Sequence, residues 1–136
     1  MGRRAAYSGV KRYILDASAL MALLLLEPGG DVVANVIGTG VISAVNLSEA
    51  ISKLQQKGMA LSEAIHAVRI FQLHVEPFDE KLALSAAALR APTMQFGLSF
   101  ADRACLAAAQ HMNLAVMTAD KIWAKLDLGI EIKLIR

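Results

Sequence analysis

Apolar residues fall in two recurring patterns along the chain, short continuous runs and longer stretches with helical spacing. Tyr13-Ile14-Leu15 is a short run that stops at Asp16, and the Leu-rich stretch 17–26 is long enough for a helix that Pro28-Gly29-Gly30 ends. Val32, Val33, Val36 and Ile37 recur at helical spacing before a strand-like run at 41–44. A helix is predicted over 47–57, with Leu47, Ala50, Ile51 and Leu54 on one face and Gly58 as its stop, and a second over 62–72. His74-Val75-Glu76-Pro77 reads as a short strand, followed by an alanine-rich helix over 80–91 that Pro92 stops. A helix over 99–111 stacks Phe100, Ala104, Cys105, Ala108 and Met112 on one side. A strand at 114–118, a helical turn at 122–126 and a strand at 130–135 complete the series. Short apolar strands separated by helices predict an α/β fold with a mainly parallel sheet covered on both faces.

Composition narrows the class. The 136 residues are 56% hydrophobic and 19% charged, which excludes a disordered chain and suits one domain with a full core. Residues 1–12 carry no periodicity and are expected to form a flexible extension, leaving 13–136 as the folded domain. Arg3, Arg4, Lys11 and Arg12 are four of the 14 cations, so ten remain in the body against 12 acids. Nucleic acid, if bound, must therefore be held by a local stripe and not by global charge. The single cysteine, Cys105, forms no intramolecular disulfide, consistent with a cytoplasmic protein. The ten-residue run 17–26 is too short to span a bilayer, and the Glu27-Pro28-Gly29-Gly30-Asp31 that follows it is no clear cleavage site.

Ligand crevices of parallel sheets lie beyond the carboxyl ends of the strands. Asp16 follows the first strand, Glu49 the second, and Asp120 lies two residues past Thr118, while Asp102 opens the helix before that strand. Two carboxylates about 5 Å apart repel by roughly 3 kcal/mol at an effective dielectric near 20, so four on one edge need a cation or protons. A hard divalent ion such as Mg2+ suits an all-oxygen set better than zinc does. Each acid also has a local explanation. Ser99-Phe100-Ala101-Asp102 and Asn46-Leu47-Ser48-Glu49 match the capping-box spacing, Asp16 is placed to start a helix, and Asp120 to start a turn. Only the metal reading requires all four to meet. His66, His74 and His111 show no ligand spacing, and phosphate-loop, dinucleotide and serine-hydrolase motifs are absent. Arg103 and Lys121, each directly after an acid, are candidates to contact a nucleic acid, if one binds, with solvated helix positions as the plainer explanation.

Four strings carry a resemblance: Ile14-Leu15-Asp16-Ala17-Ser18-Ala19-Leu20, Asn46-Leu47-Ser48-Glu49-Ala50, Leu98-Ser99-Phe100-Ala101-Asp102-Arg103-Ala104-Cys105, and Met117-Thr118-Ala119-Asp120-Lys121-Ile122-Trp123. Together, and in this order, they resemble the PIN-domain ribonucleases and more narrowly the VapC toxins of bacterial toxin–antitoxin pairs. Ala101, where the family commonly has glycine, and the longer N-terminus are departures, and neither removes a carboxylate. The resemblance implies a three-layer α/β/α sandwich around a parallel sheet of about five strands. It implies Asp16, Glu49, Asp102 and Asp120 as catalytic metal ligands for Mg2+ or Mn2+, with Ser18 and Thr118 as supporting hydroxyls. It also implies transfer or ribosomal RNA as substrate, a homodimer, and inhibition by a VapB-like antitoxin. Two other functions stay open on the residues alone: a housekeeping RNA-processing nuclease of the same family, and a non-catalytic interaction domain in which the acids are only caps.

Overall fold

The computed structural model describes residues 11–136; most of the expected extension, positions 1–10, lies outside them. Among the described residues five strands form one sheet: β1 (Tyr13–Leu15), β2 (Val41–Ser43), β3 (His74–Glu76), β4 (Ala115–Thr118) and β5 (Ile132–Leu134). Their order is β3-β2-β1-β4-β5 and every pair is parallel, so the mainly parallel sheet expected from the sequence is parallel throughout. The helices are α1 (Ala17–Leu24), α2 (Gly30–Ala34), α3 (Ala44–Gln56), α4 (Leu61–Arg69), α5 (Glu80–Ala88), α6 (Arg90–Thr93) and α7 (Phe100–Met112), with 3-10 turns at Ile37–Thr39, Met94–Phe96 and Lys121–Lys125.

Strand alternation builds the layers. Ile14 pairs in register with Val41 and Val116, and these three point into one core with Leu82 and Ala86 of α5 and the 105–109 stretch of α7. Leu15 pairs with Ile42 and Met117, which point to the other face against α1, α3 and α4. A two-residue period thus gives each central strand one side chain per face, and the sheet is covered on both. Successive strands β1, β2 and β3 move outward on one side before the chain returns to β4 on the other. The order reverses between β1 and β4, where such sheets form their ligand crevice.

Several boundaries differ from those the sequence predicts. Helix α3 starts at Ala44, three residues earlier than expected, because the Ser43 hydroxyl caps it by accepting from Asn46 N at 3.2 Å. The capping box expected between Asn46 and Glu49 therefore does not form, and Glu49 sits in the second turn. Pro92 does not stop a helix. The run from Glu80 ends at Ala88, and Pro92 is the third residue of the short α6, where a missing N–H leaves no helical bond unmade. Helix α4 ends at Arg69, before Gln72 turns to a φ of 52°. The segment expected as one helix over 32–37 divides into α2 and the 3-10 turn at Ile37–Thr39, and β5 is shorter than the 130–135 run. Lys11 and Arg12, expected in the extension, are tied to the body by an ion pair with Glu131 and a bond from Arg12 Nε to Thr39 O. No helix of the described residues is long and apolar enough to cross a membrane.

Candidate active site

Asp16 leaves the end of β1 as the N-cap of α1 and is only 5% exposed. Its Oδ1 accepts from Ala19 N at 2.9 Å and from the Ser18 hydroxyl at 2.7 Å, and its Oδ2 accepts from the Thr118 hydroxyl at 2.5 Å. Each hydroxyl has one proton, and both are directed at Asp16. Their oxygens then accept from the next strand's exit, Ser18 Oγ from Ala119 N at 2.9 Å and Thr118 Oγ1 from Asp120 N at 3.0 Å. These bonds lock the ends of β1 and β4 together around one carboxylate. Burial pushes the Asp16 carboxyl up to about 6, against the three donors that favour its charged form, and Asp102 adds like-charge repulsion.

Asp102 belongs to the first turn of α7, where a capping box forms as the sequence predicts: Asp102 N donates to Ser99 Oγ at 3.1 Å and Asp102 Oδ2 accepts from Ser99 N at 3.0 Å. Its carboxyl is also raised, by burial first and then by Glu49 and Asp120. Asp120 caps the 3-10 turn after β4 through Oδ1, which accepts from Ile122 N at 3.1 Å. The structural and the functional readings are thus compatible. Capping occupies one oxygen of Asp102 and one of Asp120 and leaves the other of each without a hydrogen-bond partner among the described residues.

Glu49 is held from within α3, by a residue that also reaches across the crevice. Its Oε1 accepts from Asn46 Nδ2 at 3.3 Å, and the same amide donates to Ala101 O at 3.0 Å, linking α3 to the turn that carries Asp102. Asn46 is fully buried and its Oδ1 has no partner among the described residues. The sequence makes it the cap of a capping box; the signal for its positioning role is its place three residues before Glu49, one turn away on the same face. Lys53 Nζ lies 3.6 Å from Glu49 Oε2, and among the described residues it is the only cation within ion-pair distance of any of the four acids.

The four acids therefore meet at one edge of the sheet, carried there by the ends of β1 and β4 and by α3 and α7. Cys105 records the resulting field. Burial pushes its thiol well up, and Asp16, Asp102 and Glu49 all push in the same direction, so it is a core residue and no nucleophile. Among the described residues no group of three or more carboxylate, imidazole or thiol side chains stands closely enough together to hold a metal ion by itself. An oxygen-only set with two free carboxylate oxygens and negative charge in excess nevertheless fits an ion such as Mg2+, which binds few carboxylates directly and keeps several waters. Of the residues proposed to meet RNA, Arg103 turns away toward α5. Its Nη1 donates to Ala86 O at 3.2 Å and its guanidinium lies over Phe100. Lys121 is exposed at the start of the 3-10 turn.

Comparison with known proteins bears on the fold and the family. The structure resembles a DNA-bound VapBC complex from Salmonella typhimurium (TM-score 0.71, 19% identity, covering 93% of this chain and 100% of that one). It also resembles VapBC2 from Rickettsia felis bound to a promoter fragment (0.69, 18%, 90% and 98%). A third similar structure is VapC20 of Mycobacterium tuberculosis, a toxin that cleaves the sarcin-ricin loop (0.69, 16%, 88% and 98%). No curated protein matches the chain. The family profile described as the PIN domain matches residues 13–128, nearly the whole of the folded chain, and the chain belongs to the PIN-domain family.

Proposed function

We propose that this protein is a divalent-metal-dependent endoribonuclease of the VapC type, the toxin half of a toxin–antitoxin pair. The observation that carries the reading is that four separate elements bring Asp16, Glu49, Asp102 and Asp120 to one crevice, Asp16 and Asp120 joined through Thr118 and Glu49 and the Asp102 turn through Asn46, with one neighbouring cation, Lys53. Four independent caps would have no reason to converge, and convergence without neutralisation costs stability. Asp16, Glu49, Asp102 and Asp120 would hold the ion, Mg2+ or Mn2+, directly or through water, with the unpartnered oxygens of Asp102 and Asp120 open to it. A bound ion would supply a water of lowered pKa and neutralise charge building on the scissile phosphate.

The chain's own residues supply position. Ser18 and Thr118 fix the orientation of the Asp16 carboxylate, and their protons hold it ionised against its burial. Asn46 and the Ser99 cap fix Glu49 and Asp102 on either side. Asp16 is itself buried at the end of a buried strand, so electrostatic effects on its carboxylate act at low dielectric. The substrate we assign is transfer or ribosomal RNA. The partner is a VapB-like antitoxin, a reading supported by structural neighbours that are VapBC complexes, and the excess of carboxylates would suit an inhibitory arginine. We assign a homodimer acting in the cytoplasm.

The test is cleavage of total bacterial RNA by the purified chain with Mg2+ or Mn2+, beside an EDTA control and the Asp16→Asn variant. Discrete, metal-dependent fragments that the variant does not produce are expected. Cleavage by Asp16→Asn and by Asp102→Asn at the unsubstituted rate would overturn the mechanism. Failure of the chain to bind Mg2+ or Mn2+ in calorimetry would favour the interaction-domain reading.

A further inference from the structure

Beside the acids, between α1 and α3, lies a cleft of about 460 Å3 lined by Ser18, Met21, Glu27, Lys53, Gln56 and Lys57. We propose that this cleft is the subsite that receives the phosphate backbone of the RNA flanking the scissile bond, with Lys53 and Lys57 as its cationic wall; the inference rests on the nuclease reading and specifies where its substrate enters. Three observations carry it. The cleft borders the acids at two points, since Ser18 in its wall is bonded to Asp16 and Lys53 in its wall is paired with Glu49. Its volume falls in the range of small-ligand clefts, about 300–1,000 Å3. Lys53 lies in the last turn of α3 and Lys57 is the C-cap that follows it, and both side chains line this cleft.

The electrostatic need is specific. A polyanion approaching four carboxylates is repelled, and cations must offset this close to the acids, because screening removes contributions beyond about a Debye length of ~8 Å at physiological salt. The two cations that follow the acids in sequence lie elsewhere: Arg103 is held by Ala86 O and Phe100, and neither it nor Lys121 lines this cleft. Lys53 is positioned to exchange Glu49 for a phosphate oxygen. Lys57 pairs with no acid among the described residues and is free to meet the next phosphate.

The experiment measures binding of a fluorescent single-stranded RNA oligonucleotide by anisotropy in EDTA, using the full chain carrying Asp16→Asn so that nothing is cleaved. Lys57→Gln and the pair Lys53→Gln/Lys57→Gln are compared with Lys11→Gln, which removes one charge at the opposite end of β1. The double variant is expected to bind about tenfold more weakly at low salt, with the slope of log K against log salt reduced by about 0.7 per lysine, while Lys11→Gln changes neither. Lys57→Gln alone leaves the Glu49 contact intact. In the cleaving chain with metal it is expected to raise KM several-fold and leave kcat unchanged. Equal RNA affinity and equal salt slope in all variants, in a chain that does cleave RNA, would overturn this subsite and leave the nuclease reading standing. A chain that neither binds nor cleaves RNA would overturn both. Binding of a glutamate-rich peptide at the two lysines without RNA binding would reassign the cleft to a protein partner.

Discussion

Thr118 donates its hydroxyl proton to Oδ2 of Asp16 at 2.5 Å, across 102 positions of sequence, and so joins the exits of β4 and β1. The bond belongs to the side of the balance that keeps Asp16 charged, together with Ser18 and the Ala19 amide. Burial outweighs all three, and the carboxyl titrates at about 6 instead of 3.8. A folded-state value above the unfolded one means that the folded chain holds the proton more tightly. The resulting stabilisation is complete below about pH 3.8 and is lost as pH rises through 6. The difference of about two pK units corresponds to about 3 kcal/mol at the 1.36 kcal/mol per unit of linkage. Asparagine can keep the Ala19 cap and has no charge to bury. Asp16→Asn is therefore expected to be more stable than the natural chain at pH 8 in EDTA, by up to about 3 kcal/mol, and the gap is expected to close near pH 4. Urea denaturation at both pH values checks this, and a gap independent of pH would contradict it.

A divalent ion relieves the same charge. At pH 8, Mg2+ or Mn2+ should raise the urea midpoint of the natural chain, and at 100 times Kd the gain is about 2.7 kcal/mol. EDTA should reverse it. The variant Asp16→Asn/Asp102→Asn should show no gain at the same concentrations, since it has lost two of the four proposed ligands and half of the negative charge. Equal stabilisation of both proteins would place the ion elsewhere.

Much of this was legible because a parallel sheet announces itself locally. Each central strand is a short apolar run that ends at a polar residue, and Asp16 after Leu15 both caps a helix and belongs to the site. The Ser99–Asp102 box is likewise a spacing within one turn. What failed depends on competition between neighbours. Ser43 and Asn46 can each cap a helix, and the choice falls to Ser43 because β2 ends there, which a local pattern does not encode. Pro92 was read as a stop because its place in a new first turn depends on where the preceding helix breaks. The cationic wall on α3 was missed for a third reason. Adjacency to the acids in sequence points to Arg103 and Lys121, whereas Lys53 reaches Glu49 one helical turn away, and Lys57 shares the cleft with Ser18 of a different helix.

The approach of α2 to α1 gives a prediction about the scaffold. A Cβ on Gly30 would lie 2.5 Å from Ala22 O and 3.0 Å from Ala22 C, both backbone atoms that cannot rotate away. Gly30→Ala must push the two helices apart, and overpacking of this kind costs about 1–3 kcal/mol. Because α1 begins at Asp16, the strain is carried toward the site. The variant should unfold at lower urea with an unchanged m-value, and its affinity for Mn2+ by calorimetry should fall. Gly38→Ala, where a Cβ meets nothing within 4 Å, is the control expected to leave both unchanged.

Asn46 separates positioning from stability. Its amide nitrogen faces two acceptors, Glu49 Oε1 and Ala101 O, so the side chain cannot be reversed without opposing oxygen to oxygen. The cost is a buried Oδ1 with no donor, which is unfavourable by roughly 1–3 kcal/mol. Asn46→Ala removes two made bonds and one unmade one, so its effect on folding should be smaller than the loss of the bonds alone. It also frees Glu49 and loosens α3 from the turn carrying Asp102. Groups that orient metal ligands are typically worth 10–100-fold in metal affinity or activity, and a loss in that range is expected here, measured as Mn2+ affinity by calorimetry and as kcat on RNA. Asn46→Asp should be worse than alanine in both, because it sets a carboxylate against two acceptors in a field that already holds four acids. Unaltered Mn2+ affinity in both variants would show that Glu49 finds its place without Asn46.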